Sequence, residues 1–110
     1  MTITIKSLGQ QSPSATTETD LYTVPGTTST VVSSIFVCNR GTTSSKFRIS
    51  HAVGGGATAN KDYLFYDETV PANSTYQFTA GLTLATTDKI KVYAETGDLS
   101  FNIYGQEIST

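Results

Sequence analysis

The side chains able to do chemistry are few and scattered. The chain holds one histidine and one cysteine. Nucleophilic catalysis needs a hydroxyl or thiol, a base within hydrogen-bond reach and a third group orienting that base. The single imidazole, His51, falls on the same face of an alternating stretch as Phe47 and Ile49. It is therefore expected as a packed, hydrogen-bonded residue of the core or its rim. Cys38 ends the apolar run Ser34-Ile35-Phe36-Val37-Cys38 and reads as a small buried core residue. It has no partner for an internal disulfide, and Arg40 two residues on is thin support for a reactive thiolate. One His and one Cys do not make an intrachain zinc set.

The carboxylates say little more. Asp62, Asp67 and Glu68 form the one notable cluster, without the dense Asp/Asn spacing of a calcium loop. A solvated loop is expected there, with a calcium site shared between subunits as the alternative. Glycosidase chemistry needs two carboxylates flanking a groove, and nothing in the spacing favours it. Gly54-Gly55-Gly56 lacks the Lys-Ser/Thr and the helix start of a phosphate loop. Asn73-Ser74-Thr75 matches the N-glycosylation pattern by chance in a Thr-rich chain. No catalytic residue, cofactor or metal is expected, and the chain reads as a protein that binds or builds.

Contact chemistry is better represented. The six tyrosines are Tyr22, Tyr63, Tyr66, Tyr76, Tyr93 and Tyr104. Each offers apolar area with a polar tip, suited to ordinary sheet edges, to subunit contacts or to stacking on sugars. Tyr93 sits opposite the Ile90/Val92/Ala94 face and is expected to be exposed on a lone sandwich. Tyr22, Tyr93 and Tyr104, with Ile3 and Ile5, are the candidate interface residues.

These residues must be positioned by strands. No segment carries helical periodicity; apolar residues alternate or cluster in short runs, and turn-formers recur about every ten residues. Ile3 and Ile5 alternate with Thr2, Thr4 and Lys6. Residues 8–20 are polar, contain Pro13 and read as an extended arm or loop. Leu21–Val24 makes a short strand stopped by Pro25-Gly26, a type II turn signature with Gly at the positive-φ position. Thr30–Asn39 is the most apolar strand, and Asn39-Arg40-Gly41 turns the chain. Strands follow over 46–52, 63–66, 75–79, 82–84, 90–94 and 99–103. A bulge is expected at Gly81 and a hairpin turn at Gly97-Asp98, with the last strand fading over 105–108. The expected fold is an all-β, antiparallel β-sandwich of immunoglobulin-like or jelly-roll-like type with seven or eight strands. Residues 1–20 form an N-terminal strand or arm and 21–110 the sandwich domain. Phe36, Phe47, Ile49, Phe78, Val92, Phe101 and Ile103 are the expected core.

Length and composition bound the partners. The 110 residues suit one domain with a thin core. Hydrophobic residues are 37% and charged residues 15%, both below average, with Thr and Ser filling the difference as residues that tolerate wet strand positions. The net charge is -2 with the two signs interspersed, so neither a nucleic-acid patch nor a polybasic membrane segment is present. No apolar run reaches the roughly 20 residues of a membrane helix, and MTITIKSLGQQ has no secretory pattern. The chain is expected to be made and kept in a cytosol until something assembles it.

Several stretches carry a resemblance. They are Leu21-Tyr22-Thr23-Val24-Pro25-Gly26, the run from Val31 to Gly41, Asn60-Lys61-Asp62-Tyr63-Leu64 and Leu99-Ser100-Phe101-Asn102-Ile103-Tyr104-Gly105. Together they resemble small structural proteins of tailed phages and prophages, over most of the chain from Leu8 to Ile108. Relatives in that group often have a Val-Pro-Ala-Gly turn, one residue longer than Val24-Pro25-Gly26. The resemblance rests on framework strands and turns, so it carries over no site residues. It implies a virion component, either a capsid decoration (cement) protein clamping the major capsid protein or other virion subunits, or a neck, baseplate or tail-fibre module touching host glycans. It also implies a homo-oligomer, commonly a trimer in the decoration class.

Overall fold

The computed structural model describes residues 1–79 and 81–110. They form nine strands: β1 Thr2–Gln11, β2 Thr19–Thr23, β3 Thr28–Asn39, β4 Ser45–Ala52, β5 Tyr63–Val70, β6 Thr75–Phe78, β7 Leu82–Leu84, β8 Lys89–Ala94 and β9 Leu99–Ser109. Two short 3-10 turns, Val53–Gly55 and Asn60–Asp62, are the only helical segments among the described residues. One sheet runs β1-β9-β3-β6, with β7 also on β3; the other runs β2-β8-β4-β5. All pairings are antiparallel, and the sheets pack face to face as a sandwich.

Nearly every connection crosses from one sheet to the other. Of the consecutive strands in different elements, only β4 and β5 pair directly. The Gly97-Asp98 turn therefore does not close a hairpin, because β8 and β9 belong to different sheets. The strands β6 and β7 lie along the same edge of β3. Phe78 and Leu82, four positions apart, oppose Ile35 and Val32, three apart. One extra residue thus interrupts this edge, where Gly81 takes φ 56°.

The core lies between the sheets. Phe47 is fully buried and meets Phe65, Tyr76 and Phe101 at centroid distances of 5.7, 5.5 and 6.2 Å. Ile49, Val92, Phe101 and Ile103 are buried beside it as expected, and Phe78 packs on the core from its margin, 4.6 Å from Phe65. Burying such side chains contributes about 1.5–3 kcal/mol each.

Local shifts of register correct several expectations. On β3, Val32 opposes Gly105 while Ser34 opposes Tyr104, so Ser33 is an extra residue. Because side chains alternate with period two, one extra residue exchanges the faces. Thr30 and Val32 point inward, and so do Ile35 and Val37 beyond the bulge, whereas Phe36 and Cys38 face outward and are half-buried. Phe36 is thus not a core residue, and Cys38 is not a buried one. In the turn after β2, the left-handed backbone falls on Thr27, φ 55°, and not on Gly26.

The N-terminal segment also differs from an arm. Residues 8–11 continue β1, which pairs with β9 from Thr2↔Ser109 to Gln11↔Phe101, so β9 does not fade either. A ready ladder outweighs the weak strand preference of Gly9, Gln10 and Gln11, and Gln10 Nε2 donates to Asn102 Oδ1 at 2.7 Å. Gly9 crosses β2 so closely that a Cβ there would lie 2.1 Å from the Leu21 carbonyl oxygen. Residues 12–18 form the loop, tied down where the Thr16 N–H donates to the Ala94 carbonyl at 2.8 Å.

Candidate interaction faces

The outer face of the first sheet collects three of the five candidate residues. Residues directly opposite in an antiparallel pair share a face. Ile3 opposes Ile108, Ile5 opposes Gln106 and Ser7 opposes Tyr104; across β9, Val31 opposes Gln106 and Phe36 opposes Asn102. Ile3, Ile5, Val31, Tyr104 and Phe36 therefore form one oblique apolar stripe. Ile3 is 53% and Ile5 83% exposed, so β1 joins the sheet through its backbone while its isoleucines stay in solvent. Tyr104 and Phe36 meet edge to face at 5.9 Å.

This face carries a groove. Relative to β9, β1 carries an extra residue at Leu8, between the partners of Tyr104 and Ile103, and β3 carries one at Ser33, between the partners of Gly105 and Tyr104, so the two bulges flank Tyr104. Bulges raise local twist and bend their strands. Two of them flanking the same point of β9 leave a groove of about 430 Å³ between Ile5 and Val31, beside Tyr104 and Gly105, with Lys6 and Gln106 at its rim. Gly105 permits the close approach of β3: a Cβ there would lie 2.1 Å from the Val31 carbonyl oxygen.

Tyr93 lies on the opposite side of the molecule, on the outer face of the second sheet. It opposes Arg48 across β4 and β8. The guanidinium carbon is 4.4 Å from the Tyr93 ring centroid and 4.2 Å from that of Tyr66, so the cation is stacked between two rings. Arg48 Nε also donates to Asp67 at 2.8 Å, and this partner holds the Asp67 carboxyl below the usual carboxylate range. Tyr63 meets Tyr66 edge to face at 4.9 Å. The second sheet thus presents an aromatic and cationic patch, with Tyr66 59% exposed.

Tyr22 is on neither face. Asp20 opposes Lys91 and Tyr22 opposes Ile90, so Leu21 is the extra residue and both Leu21 and Tyr22 turn inward. The Tyr22 hydroxyl bonds to Thr30 Oγ1 at 2.8 Å and donates to Glu107. Burial first, then the adjacent Glu107 carboxylate, pushes the Tyr22 phenol up to about 12. Tyr22 is an internal tie between the sheets, which corrects its reading as an interface residue.

The remaining reactive groups have structural partners. His51 sits at the rim and donates to Asp88 at 2.9 Å. Asp62 accepts from the Ala59 N–H at 2.8 Å, a bond that lowers its pKa. Among the described residues, no three of His, Cys, Asp and Glu gather where they could hold one ion.

The sequence reading missed Val31 and Phe36 as surface residues and Arg48 and Tyr66 as a stacked pair. The adjacent serines Ser33-Ser34, inside an otherwise apolar strand, are the signal for the β3 bulge. The Arg48–Tyr66 pair depends on a second bulge, at Tyr66 and Asp67, where Asp67 takes φ 54°. No protein-family model and no curated protein matches this chain.

Proposed function

We propose that this chain is a non-enzymatic structural subunit of a tailed-phage virion, a capsid decoration protein that binds neighbouring capsid subunits through the outer face of its first sheet. One observation carries the reading: an apolar stripe on a grooved sheet face, with Ile3 and Ile5 exposed and Val31, Phe36 and Tyr104 half-buried, bordered by an edge strand with a free backbone. Contiguous apolar surface rimmed by polar groups marks sites of protein association, and an open edge adds main-chain pairing. The resemblance of its framework strands to small phage structural proteins supplies the particle.

The fold is read as a jelly roll. The pairings nest, β1 with β9, β2 with β8, β3 with β6 and β7, and β4 with β5, like one long hairpin rolled into two sheets. Eight-stranded double-sheet rolls of this kind recur in capsid and lectin domains.

A second reading is a neck, baseplate or tail-fibre module. The Tyr66–Arg48–Tyr93 stack with Tyr63 favours it, because aromatic rings at the surface, Tyr66 exposed and Tyr63 and Tyr93 half-buried beside it, suit glycan contact. Imaging the intact particle separates the two. A decoration protein is expected in many copies over the capsid lattice; density confined to the tail supports the second reading, and absence from the particle overturns both.

A further inference from the structure

We infer that β1 is a homotypic docking edge, pairing antiparallel with β1 of a second copy about a two-fold axis through Thr4. This deepens the assembly reading above and rests on it. The sandwich has four open edges, β1 and β6–β7 in the first sheet and β2 and β5 in the second. Proteins guard such edges with short strands, bulges, breaks and charge, and three of these four are guarded. The edge at β6–β7 is broken near Gly81. The five-residue β2 is bulged at Leu21 and carries Asp20, paired to Lys89 at 2.9 Å. In β5 the register shifts twice, with Asp67 at positive φ. The ten-residue β1 is bulged only at Leu8 and its one charge, Lys6, is paired to Glu107 at 3.3 Å; from Thr2 to Ser7 it runs regularly, and every one of those residues is exposed.

The sequence of that run complements itself. With Thr4 opposite Thr4 of the second copy, Ile3 opposes Ile5, Ile5 opposes Ile3, and Thr2 opposes Lys6 at both ends. Apolar meets apolar on the outer face, β-branched Thr meets Thr on the inner one, and no like charges are directly opposed. Cross-strand pairs of this type are favourable, whereas opposed like charges are not. A shift of one residue would place Ile opposite Thr and exchange the faces. The symmetry is isologous, as in most dimers. It joins the first sheets of two copies with their grooves on the same side, so Ile3 and Ile5 of both become the middle of one longer apolar face.

Sedimentation of the isolated full chain tests this, with Cys38→Ser as the background for cross-linking. A concentration-dependent dimer is expected, and Thr4→Lys, which opposes two like charges at the axis, should abolish it without shifting the melting temperature of the dilute protein. Opposed residues lie about 4.5–5.5 Å apart at Cα, within disulfide reach. Thr4→Cys should therefore cross-link with itself on oxidation. Thr2→Cys alone should not, but should cross-link when mixed with Lys6→Cys. A monomer at high concentration, a trimer, or a dimer indifferent to Thr4→Lys overturns the inference. The outcomes are distinct from those for the virion reading: a monomer found on particles removes the β1 pairing alone, and a β1 dimer absent from particles removes the virion reading alone.

Discussion

His51 donates a 2.9 Å hydrogen bond from Nε2 to the carboxylate of Asp88, a side chain only 5% exposed. The same carboxylate accepts from the Gly54 N–H at 2.8 Å and the Ala85 N–H at 3.0 Å. One buried charge thus joins β4, the 3-10 turn after it and the turn into β8. Burial, the largest single influence on this carboxyl, pushes it up; the bonds from Gly54, His51 and Ala85 outweigh burial and hold it below the usual carboxylate range. A carboxyl lowered on folding adds stability above its unfolded value, and that stability is lost as the pH falls through the native value. Asp88→Asn is expected to cost about 1–3 kcal/mol at neutral pH. It should also flatten the loss of stability that the parent shows below about pH 4. Urea unfolding across the acid range measures both.

Phe47 and Phe101 are fully buried and in contact. Truncating either to Ala is expected to cost about 3–5 kcal/mol, a large part of a small domain's stability. Because the rings touch, the double variant should lose measurably more or less than the sum of the two single losses. Phe36→Ala is the contrast. Its ring lies on the outer face against Tyr104, so the loss should stay under about 1.5 kcal/mol. Equal melting temperatures for the Phe36 and Phe47 variants would contradict this placement.

Whether a pairing keeps its register decides what could be read from the chain and what could not. The alternation of Phe47, Ile49 and His51 against Lys46, Arg48 and Ser50 is legible because β4 pairs with β8 in unbroken register. Ile90, Val92 and Ala94 are legible for the same reason. Phe36, Cys38 and Tyr22 are misread because a bulge lies just before each, at Ser33 or at Leu21, and a single added residue exchanges inside for outside. Bulges depend on the partner strand, which local pattern does not contain. Ile3 and Ile5 are legible as strand residues from their alternation with Thr2, Thr4 and Lys6, and Tyr104 from its place after the alternating run Leu99–Ile103. Their convergence on one face is not, because it requires knowing that β9 lies between β1 and β3.

Tyr22 carries an alkaline signature. Burial first, then the Glu107 carboxylate, pushes its phenol up to about 12, against about 10 for an exposed tyrosine. Between those values the folded chain holds a proton that the unfolded chain has released, so stability falls as the pH rises through this window. The loss is on the order of 2 kcal/mol. Tyr22→Phe is expected to cost about 1–2 kcal/mol at neutral pH, through the bonds lost to Thr30 and Glu107, and to remove this alkaline component. Denaturant midpoints at neutral pH and above about pH 10, compared between the two proteins, provide the check.

Gly105 sets how closely β3 and β9 approach under the groove. An added Cβ there would stand 2.1 Å from the Val31 carbonyl oxygen and 3.0 Å from the Val32 Cα, both backbone atoms that cannot swing aside. The strands would have to separate where β3 is bulged against β9, one residue from the bulge of β1. Gly105→Ala is therefore expected to destabilise by about 1–3 kcal/mol, the usual cost of overpacking. It should also speed amide exchange in β3 around Val31 and Val32 more than in β4 or β8. Gly26→Ala controls for the loss of glycine itself. Nothing lies within 4 Å of a Cβ at Gly26, and its φ is not positive. That variant should be neutral or slightly stabilising, by up to about 1 kcal/mol, because Ala narrows the unfolded ensemble. If Gly105→Ala were as benign as Gly26→Ala, the close approach of β3 would not be what shapes the groove.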